Sequence, residues 1–386
     1  MNKPRILVIQ DYFLPAYKGG GSLRTVVNII DRLAGDFDFD ILARDRDQGD
    51  TEPFPDLVDD WMQRERCRVR YVPPNRITPR GLRRTAAESD YELIYFNSFF
   101  SRFTVWLLTL RRLGLLGGRP VLLAPRGELG VNTLALKRRK KSIYIKLARF
   151  VGLYRGITWH ASSESERREI LRLFDARVEI GADLPAPPPD PDALPAAPPK
   201  RRGELRVVFL SRLARKKNLA RAIELVGRAR GDIVFDIYGT AEDPGYLAEC
   251  QALIDDLPSN VHCAYHGPIP YERVHETLAG YHVFLFPTLN ENFGHVILEA
   301  LVARLPLILS DQTFWRELEA KGAGFDLPLS DEVGFDAAIR HFVELDQERY
   351  DAMSRNALQV AHAYLNDPEP VNATRDMFLR CLSGRE

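Results

Sequence analysis

Short aliphatic and β-branched runs recur along the chain, most of them without polar alternation: Arg5–Ile9, Asp38–Leu42, Glu92–Phe96, Pro120–Leu123 and Ile157–Ala161. Several lead into segments whose apolar residues return at helical spacing, such as Ser22–Leu33, Arg102–Leu113 and Glu164–Leu173. Runs of this kind suit strands covered on both faces, so the pattern predicts parallel sheets flanked by helices. It breaks between Pro185 and Pro199, where eight of fifteen positions are proline. Such a segment cannot build a core and reads as a stiff, extended linker. Alternation then restarts at Leu205–Leu210 and continues through Ile233–Tyr238, Val261–Ala264, Val283–Phe286 and Leu307–Leu309, while Asp331–Leu382 is helical in pattern. The expectation is an α/β protein of two doubly wound domains. Residues 1–183 form the first, 184–203 a Pro-rich linker, 204–365 the second, and 366–386 a terminal helix that returns to the first. Ligands of such sheets sit beyond the carboxyl ends of the strands. Two facing domains would therefore hold the active site in the cleft between them.

At 386 residues the chain is too long for one ordinary core, which agrees with two domains. Charge divides between the halves. Residues 1–183 carry 32 Lys/Arg and 23 Asp/Glu, and the rest carry 21 and 30, so the halves are +9 and −9. The sharpest part is 102–155, with thirteen basic residues and only Glu128 acidic. A field of that sign draws anions such as phosphorylated substrates, nucleic acid or an anionic membrane. Cys67, Cys250, Cys263 and Cys381 are scattered without a CxxC pair, which suits a reducing cytosol and no zinc site. His262, His266, His275, His282 and His295 offer no helical pair for a metal. The opening MNKPRILVIQ reads as a buried strand and not as a signal peptide, and no apolar run reaches membrane-spanning length.

Three motifs carry candidate chemistry. SRLARKKN, Ser211 to Asn218, follows a strand and precedes a helix near Leu219. Free helix N–H groups favour anions at such a turn, and Arg212 and Lys217 add two cations there. A basic loop on a solvated surface fits this motif equally well. FPTLNENFGHVILEAL, Phe286 to Leu301, places Glu291 at the mouth of an apolar helix and Glu299 eight positions on, roughly 12 Å along it. Two carboxylates so placed can bind two separate pairs of hydroxyls, and the amides of Asn292 to His295 would point at phosphate. The bland alternative leaves Glu291 exposed and Glu299 as a helix cap, but an acid inside an apolar helix is rare without a reason. KGGGSLRTVVNII, Lys18 to Ile30, is a glycine loop opening the first helix. It lets backbone approach a ligand closely, though it lacks the dinucleotide fingerprint and is a weak signal alone.

Taken in order, these residues resemble family 4 of the retaining glycosyltransferases, which have the GT-B fold of two facing Rossmann-like domains. The Glu-x7-Glu element with an embedded Phe-Gly is matched by Glu291, Phe293, Gly294 and Glu299. The Arg-x4-Lys pair is matched by Arg212 and Lys217, and the paired glycines by Gly20 and Gly21. The resemblance implies that Arg212 and Lys217 hold the donor diphosphate in place of a metal. Amides around Gly21, Asn292, Phe293 and Gly294 would complete the phosphate cradle. Glu291 would bind the transferred sugar and Glu299 the ribose, with the base near His266–Ile269, so that Ile269 joins the donor site. It further implies a UDP- or GDP-sugar donor, no other cofactor and no metal. The acceptor would be a saccharide or a polyprenyl-diphosphate-linked one, in surface polysaccharide synthesis. Three departures fall in the first domain. A family histidine is replaced by Arg126, followed by Glu128; Asn97 stands in YFNS; and Ile180-Gly181 replaces Asn-Gly. Arg126, Asn97 and Glu128 are the acceptor-side candidates. A phosphorylase or epimerase of the same fold, or a partner subunit that binds nucleotide-sugar without catalysis, are the alternatives. A phosphorylase would normally be longer and need a pyridoxal-phosphate lysine.

LALKRRKKSIYIKLARFVGLYRG, Leu134 to Gly156, mixes a basic run with Ile143, Ile145, Leu147, Phe150 and Val151. A core helix with a solvated basic face fits it, slightly ahead of an interfacial segment on anionic lipid. No nucleic-acid recognition fold surrounds it. The expected location is the cytoplasm, with peripheral attachment to the inner face of the membrane as the further option.

Overall fold

The computed structural model describes residues 3–384 except 56, 58, 59, 131, 132, 135–137, 188–193, 196, 242 and 292. The chain divides into two compact units, residues 1–187 with 368–386, and residues 188–367.

The first unit is built on eight strands: β1 (Arg5–Ile9), β2 (Asp38–Arg44), β3 (Met62–Gln63), β4 (Arg68–Val72), β5 (Leu93–Phe96), β6 (Val121–Leu123), β7 (Thr158–Ala161) and β8 (Arg177–Ile180). Their order is β3-β4-β2-β1-β5-β6-β7-β8, and all neighbours are parallel except β3 with β4. The central strands β1 and β5 are buried along nearly their whole length, as their unbroken apolar runs require. The described helices are α1 (Gly21–Leu33), α2 (Pro79–Ala87), α3 (Arg102–Arg112), α4 (Arg138–Phe150), α5 (Glu164–Leu173) and the terminal α12 (Glu369–Ser383). In α12, Met377 and Phe378 are fully buried, and Phe378 packs on Phe37, Phe39 and Tyr95 with centroids 5.5, 6.5 and 5.2 Å away. The last helix in sequence thus fills the core of the first unit.

β4 escapes a search for apolar runs, because Arg68 and Arg70 interrupt it. Both guanidiniums meet a carboxylate from elsewhere in the chain. Arg68 Nε donates to the buried Asp40 on β2 (2.8 Å), and Arg70 pairs with Glu88. The basic segment fits the reading of a core helix with a solvated basic face only in part, since it packs on the core through two residues. Of the α4 side chains only Ile145 and Ala148 are buried, while Ile143, Leu147 and Phe150 face out.

Among the described residues the second unit has six parallel strands in the order β11-β10-β9-β12-β13-β14. They are β9 (Glu204–Leu210), β10 (Asp232–Tyr238), β11 (Val261–Gly267), β12 (Val283–Phe286), β13 (Leu307–Ser310) and β14 (Gly324–Leu327). Helices α6 (Leu219–Gly227), α7 (Pro244–Asp255), α8 (Val274–Ala279), α9 (His295–Val302), α10 (Glu332–Glu344) and α11 (Gln347–Leu365) surround them. Strand order reverses between β9 and β12, and in the first unit between β1 and β5. At such a point successive connections leave in opposite directions and open a crevice at the strand ends. Each unit is Rossmann-like.

Truncating Phe378 tests the docking of α12. Phe378→Ala should cost about 3–5 kcal/mol through the cavity it leaves, read as a lower urea midpoint.

Candidate functional site

The loops leaving β9 and β12, which flank the reversal point of the second unit, carry the two charged motifs. After Ser211 the chain makes one 3-10 turn, Arg215–Lys217, and Asn218 enters α6 from the left-handed region at φ 61°. Asn218 Nδ2 donates to Pro287 O (2.9 Å). Lys216 O accepts from Leu289 N (2.8 Å) and Thr288 Oγ1 (3.0 Å). These bonds stitch one loop to the other and bring Lys217 onto Glu291.

The Lys217 ammonium donates to Glu291 Oε2 in an ion pair whose side chains are 8% and 19% exposed. Burial alone would raise the Glu291 carboxyl. The charge and hydrogen bond of Lys217, followed by the charges of Lys216 and Arg212, outweigh burial and hold Glu291 below its ordinary 4.5. Glu291 is therefore ionised at neutral pH, within the field of three cations. Arg212 and Lys217, neighbours in one loop, form one cluster with Glu291, which is far from both in sequence.

Gly294 caps α9 at φ 76°. A Cβ there would lie 2.7 Å from Ile297 Cδ1 and 3.0 Å from Glu291 Cγ, so the loop can pass Glu291 only as glycine. Phe293 is a wedge in the core: it is buried against Trp315 and Tyr364, and its carbonyl accepts from Trp315 Nε1 (2.8 Å). The amides at the start of α9 lack intrahelical partners by the geometry of a helix and can serve an anion. Glu299 is half-buried midway along α9, and Ile269 is half-buried two residues beyond β11. Asn292 lies outside the described residues.

One residue of this cluster escaped the sequence reading. Gly239 follows β10 at φ 140°, and a Cβ there would come within 1.7 Å of Ser211 O. Its lack of a side chain sets the backbone from which Arg212 departs. A Tyr-Gly step directly after a strand is the signal that could have found it.

In the first unit, Gly20 caps α1 at φ 65° and Gly21 is its first residue. The loop before them is anchored by buried Asp47, whose Oδ2 accepts from Tyr17 N (2.8 Å) and Lys18 N (3.2 Å). Arg126, at φ 55°, follows β6 and spends its guanidinium inside the unit. Nη1 donates to Asp183 (2.7 Å), Nε to Asn97 Oδ1 (3.1 Å) and Nη2 to the Tyr95 hydroxyl (2.5 Å). His160 Nε2 lies 2.7 Å from the carbonyl of Gly181, which can only accept, so Nδ1 must accept from Tyr95. Burial, then the charge of Arg126, lowers His160 to about 3 and keeps it neutral. Arg126 thus orients a directional relay. Asn97, in contrast, is buried at the end of β5 with its Nδ2 unpartnered. Glu128 accepts from Ser98 Oγ (2.9 Å), Phe99 N (2.5 Å) and Phe100 N (3.1 Å), fixing the turn that opens α3. Burial raises its carboxyl. A cavity of about 530 Å³ lined by Arg5, Asp38 and Arg68 lies at the opposite, amino-terminal ends of the strands and holds none of these residues.

Among the described residues no group of three His, Cys, Asp or Glu is placed to hold a metal ion, and no helix is long and apolar enough to cross a membrane.

Comparison with known proteins agrees with this fold. Residues 191–360 match the family model for glycosyl transferases group 1. The whole chain superposes on sucrose-phosphate synthase from Thermosynechococcus elongatus with a TM-score of 0.71 at 16% identity, covering 99% of this chain and 100% of that one. HepE of Anabaena in complex with UDP-glucose superposes with a TM-score of 0.69 at 16% identity, covering 98% and 99%. The GtfA subunit of a UDP-N-acetylglucosamine–peptide N-acetylglucosaminyltransferase of Streptococcus gordonii is 26% identical over 218 residues, 53% of this chain. The match covers only 41% of that relative's length. The chain has the GT-B fold, and residues 191–360, most of its second unit, match the glycosyl transferases group 1 pattern.

Two outcomes follow from the cluster. Gly239→Ala should displace the Ser211–Arg212 backbone and cost several kcal/mol, as strain at such a position does, measured by urea unfolding. Glu291 has a lowered folded pKa, so its contribution is present above about 4.5 and is lost as pH falls through the folded value. The native chain should exceed Glu291→Gln in unfolding free energy steadily from pH 6 to 8, and the gap should shrink below pH 4.5.

Proposed function

We propose that the chain is a retaining glycosyltransferase of family 4. It moves a sugar from a UDP- or GDP-sugar to a saccharide or polyprenyl-diphosphate-linked acceptor. The setting is surface polysaccharide synthesis at the cytoplasmic face of the membrane. The observation that supports this most directly is the cluster of Arg212, Lys217 and Glu291 at the reversal point of a sheet that matches the glycosyl transferases group 1 pattern.

In this reading the donor diphosphate binds at the amino ends of α6 and α9, where Arg212 and Lys217 meet its oxygens. Glu291, held ionised, accepts hydrogen bonds from sugar hydroxyls. It also keeps Lys217 aimed at the place where negative charge grows. The bond between the anomeric carbon and the diphosphate oxygen breaks. The acceptor oxygen bonds to that carbon from the same face, and its proton passes to the leaving phosphate. Cations already in place stabilise the departing charge without reorganising, often the largest catalytic term. They supply the positive charge a divalent metal provides elsewhere, so the reaction runs without one. Glu299 takes the ribose, and the loop after β11, with Ile269, takes the base. The unpartnered Asn97 amide is the acceptor-side group with a donor to offer.

A thermal-shift screen against UDP, GDP, ADP and CDP in the presence of EDTA tests the donor site. A nucleotide at about a hundred times its dissociation constant should add about 2.7 kcal/mol of stability. In Arg212→Ala the loss of a charge-assisted bond should weaken that nucleotide about 10- to 100-fold. A full shift retained in Arg212→Ala would reject the assignment.

A further inference from the structure

Helix α4 presents two opposite faces. Ile145 and Ala148 are buried in the core of the first unit, next to Leu153 and Tyr154. The other face exposes Ile143 (66%), Leu147 (59%) and Phe150 (88%), with Val151 (46%) just beyond. At 100° per residue those three helical positions fall within an arc of about 60°, a strip of their own and not the rim of the core face. Arg139 and Lys146 border the strip on one side and Lys140 on the other, all exposed. The loop after α3 lies alongside. Arg112 Nε donates to Val151 O (3.3 Å), and Arg111 donates to the carbonyls of Arg155 (3.1 Å) and Gly156 (2.7 Å). That loop exposes Leu113 (66%) and Leu115 (40%). Single exposed apolar side chains are ordinary, but two neighbouring elements exposing six large ones mark a contact surface.

Charge selects the partner. Within α4 there are six Lys or Arg and no acid. A symmetric contact with a second copy would set cations against cations. A phosphate backbone would satisfy the cations but leave a phenyl ring and three aliphatic side chains without a function. An anionic bilayer meets both demands at once, with headgroups for the basic flanks and hydrocarbon for the strip.

We infer that α4 and the loop after α3 form a docking surface for an anionic lipid bilayer, the strip entering the acyl boundary and the basic flanks lying among the headgroups. This deepens the reading of a lipid-linked acceptor and rests on it only for purpose, since the exposed strip and its flanking charge stand independently. Flotation of the full chain with vesicles of equal phosphatidylglycerol and phosphatidylcholine tests it. The native chain should float with these vesicles at least tenfold more than with phosphatidylcholine alone. Leu147→Glu/Phe150→Glu should lose at least tenfold of the partitioning. Lys140→Gln/Lys146→Gln/Arg149→Gln should lose it together with its salt dependence. The nucleotide thermal shift, read on the same variants, should stay as in the native chain and so certify their folding. A shift absent from the native chain rejects the donor site without touching the docking surface. No flotation of the native chain, or flotation unchanged in Leu147→Glu/Phe150→Glu, overturns the inference. So does a concentration-dependent dimer in ultracentrifugation that those substitutions disperse, or RNA binding that they leave intact while flotation is absent.

Discussion

Between β9 and β12 the connections of the second sheet depart in opposite directions, and the ion pair of Lys217 with Glu291 spans the gap. Two largely desolvated charges are tolerable only when each has its partner and the backbone holds both in place. That demand explains much of the surrounding detail. Asn218 reaches Pro287, Lys216 offers its carbonyl twice, and Gly294 and Gly239 remove side chains that would push the loops apart. These contacts over-determine the backbone of the cluster and fix where its three cations stand.

The first unit answers the same demand differently. Arg126 is buried as deeply as Lys217, but its charge is met by Asp183 and its remaining donors by Asn97 and Tyr95. His160 ends that relay neutral, its tautomer set by a carbonyl that can only accept. A guanidinium so occupied orients its neighbours and has little left to give a ligand. The group it leaves with a donor to spare is Asn97, one residue beyond the strand that flanks the reversal point. The two units therefore place different chemistry at equivalent positions of similar sheets: charge in the second, neutral hydrogen bonding in the first.

Much of this was legible in the order of residues. Strands such as β1, β5 and β12 announce themselves because strands buried on both faces must be continuously apolar. The spacing from Arg212 to Lys217 and from Glu291 to Glu299 is local, so a strand-to-helix turn carries it intact. β4 was not legible, since Arg68 and Arg70 look like surface residues until Asp40 and Glu88 arrive from elsewhere in the chain. Gly239 was passed over because nothing beside it in sequence shows that Ser211 O will lie where its Cβ would be.

By itself, then, the sequence determined the alternation of strands and helices, the division into two sheets and the residues that could bear charge. Those are properties of periodicity and of side-chain chemistry, which a residue keeps wherever it lies. Only the tertiary structure decided which charges are spent and which remain. Arg126 is consumed by Asp183, and Lys217 is aimed by Glu291. Ile143, Leu147 and Phe150, apolar in a helix that could have been core, face outward. Pairing and exposure depend on what the fold brings within a few ångströms, and that distance is not written between neighbours in a chain.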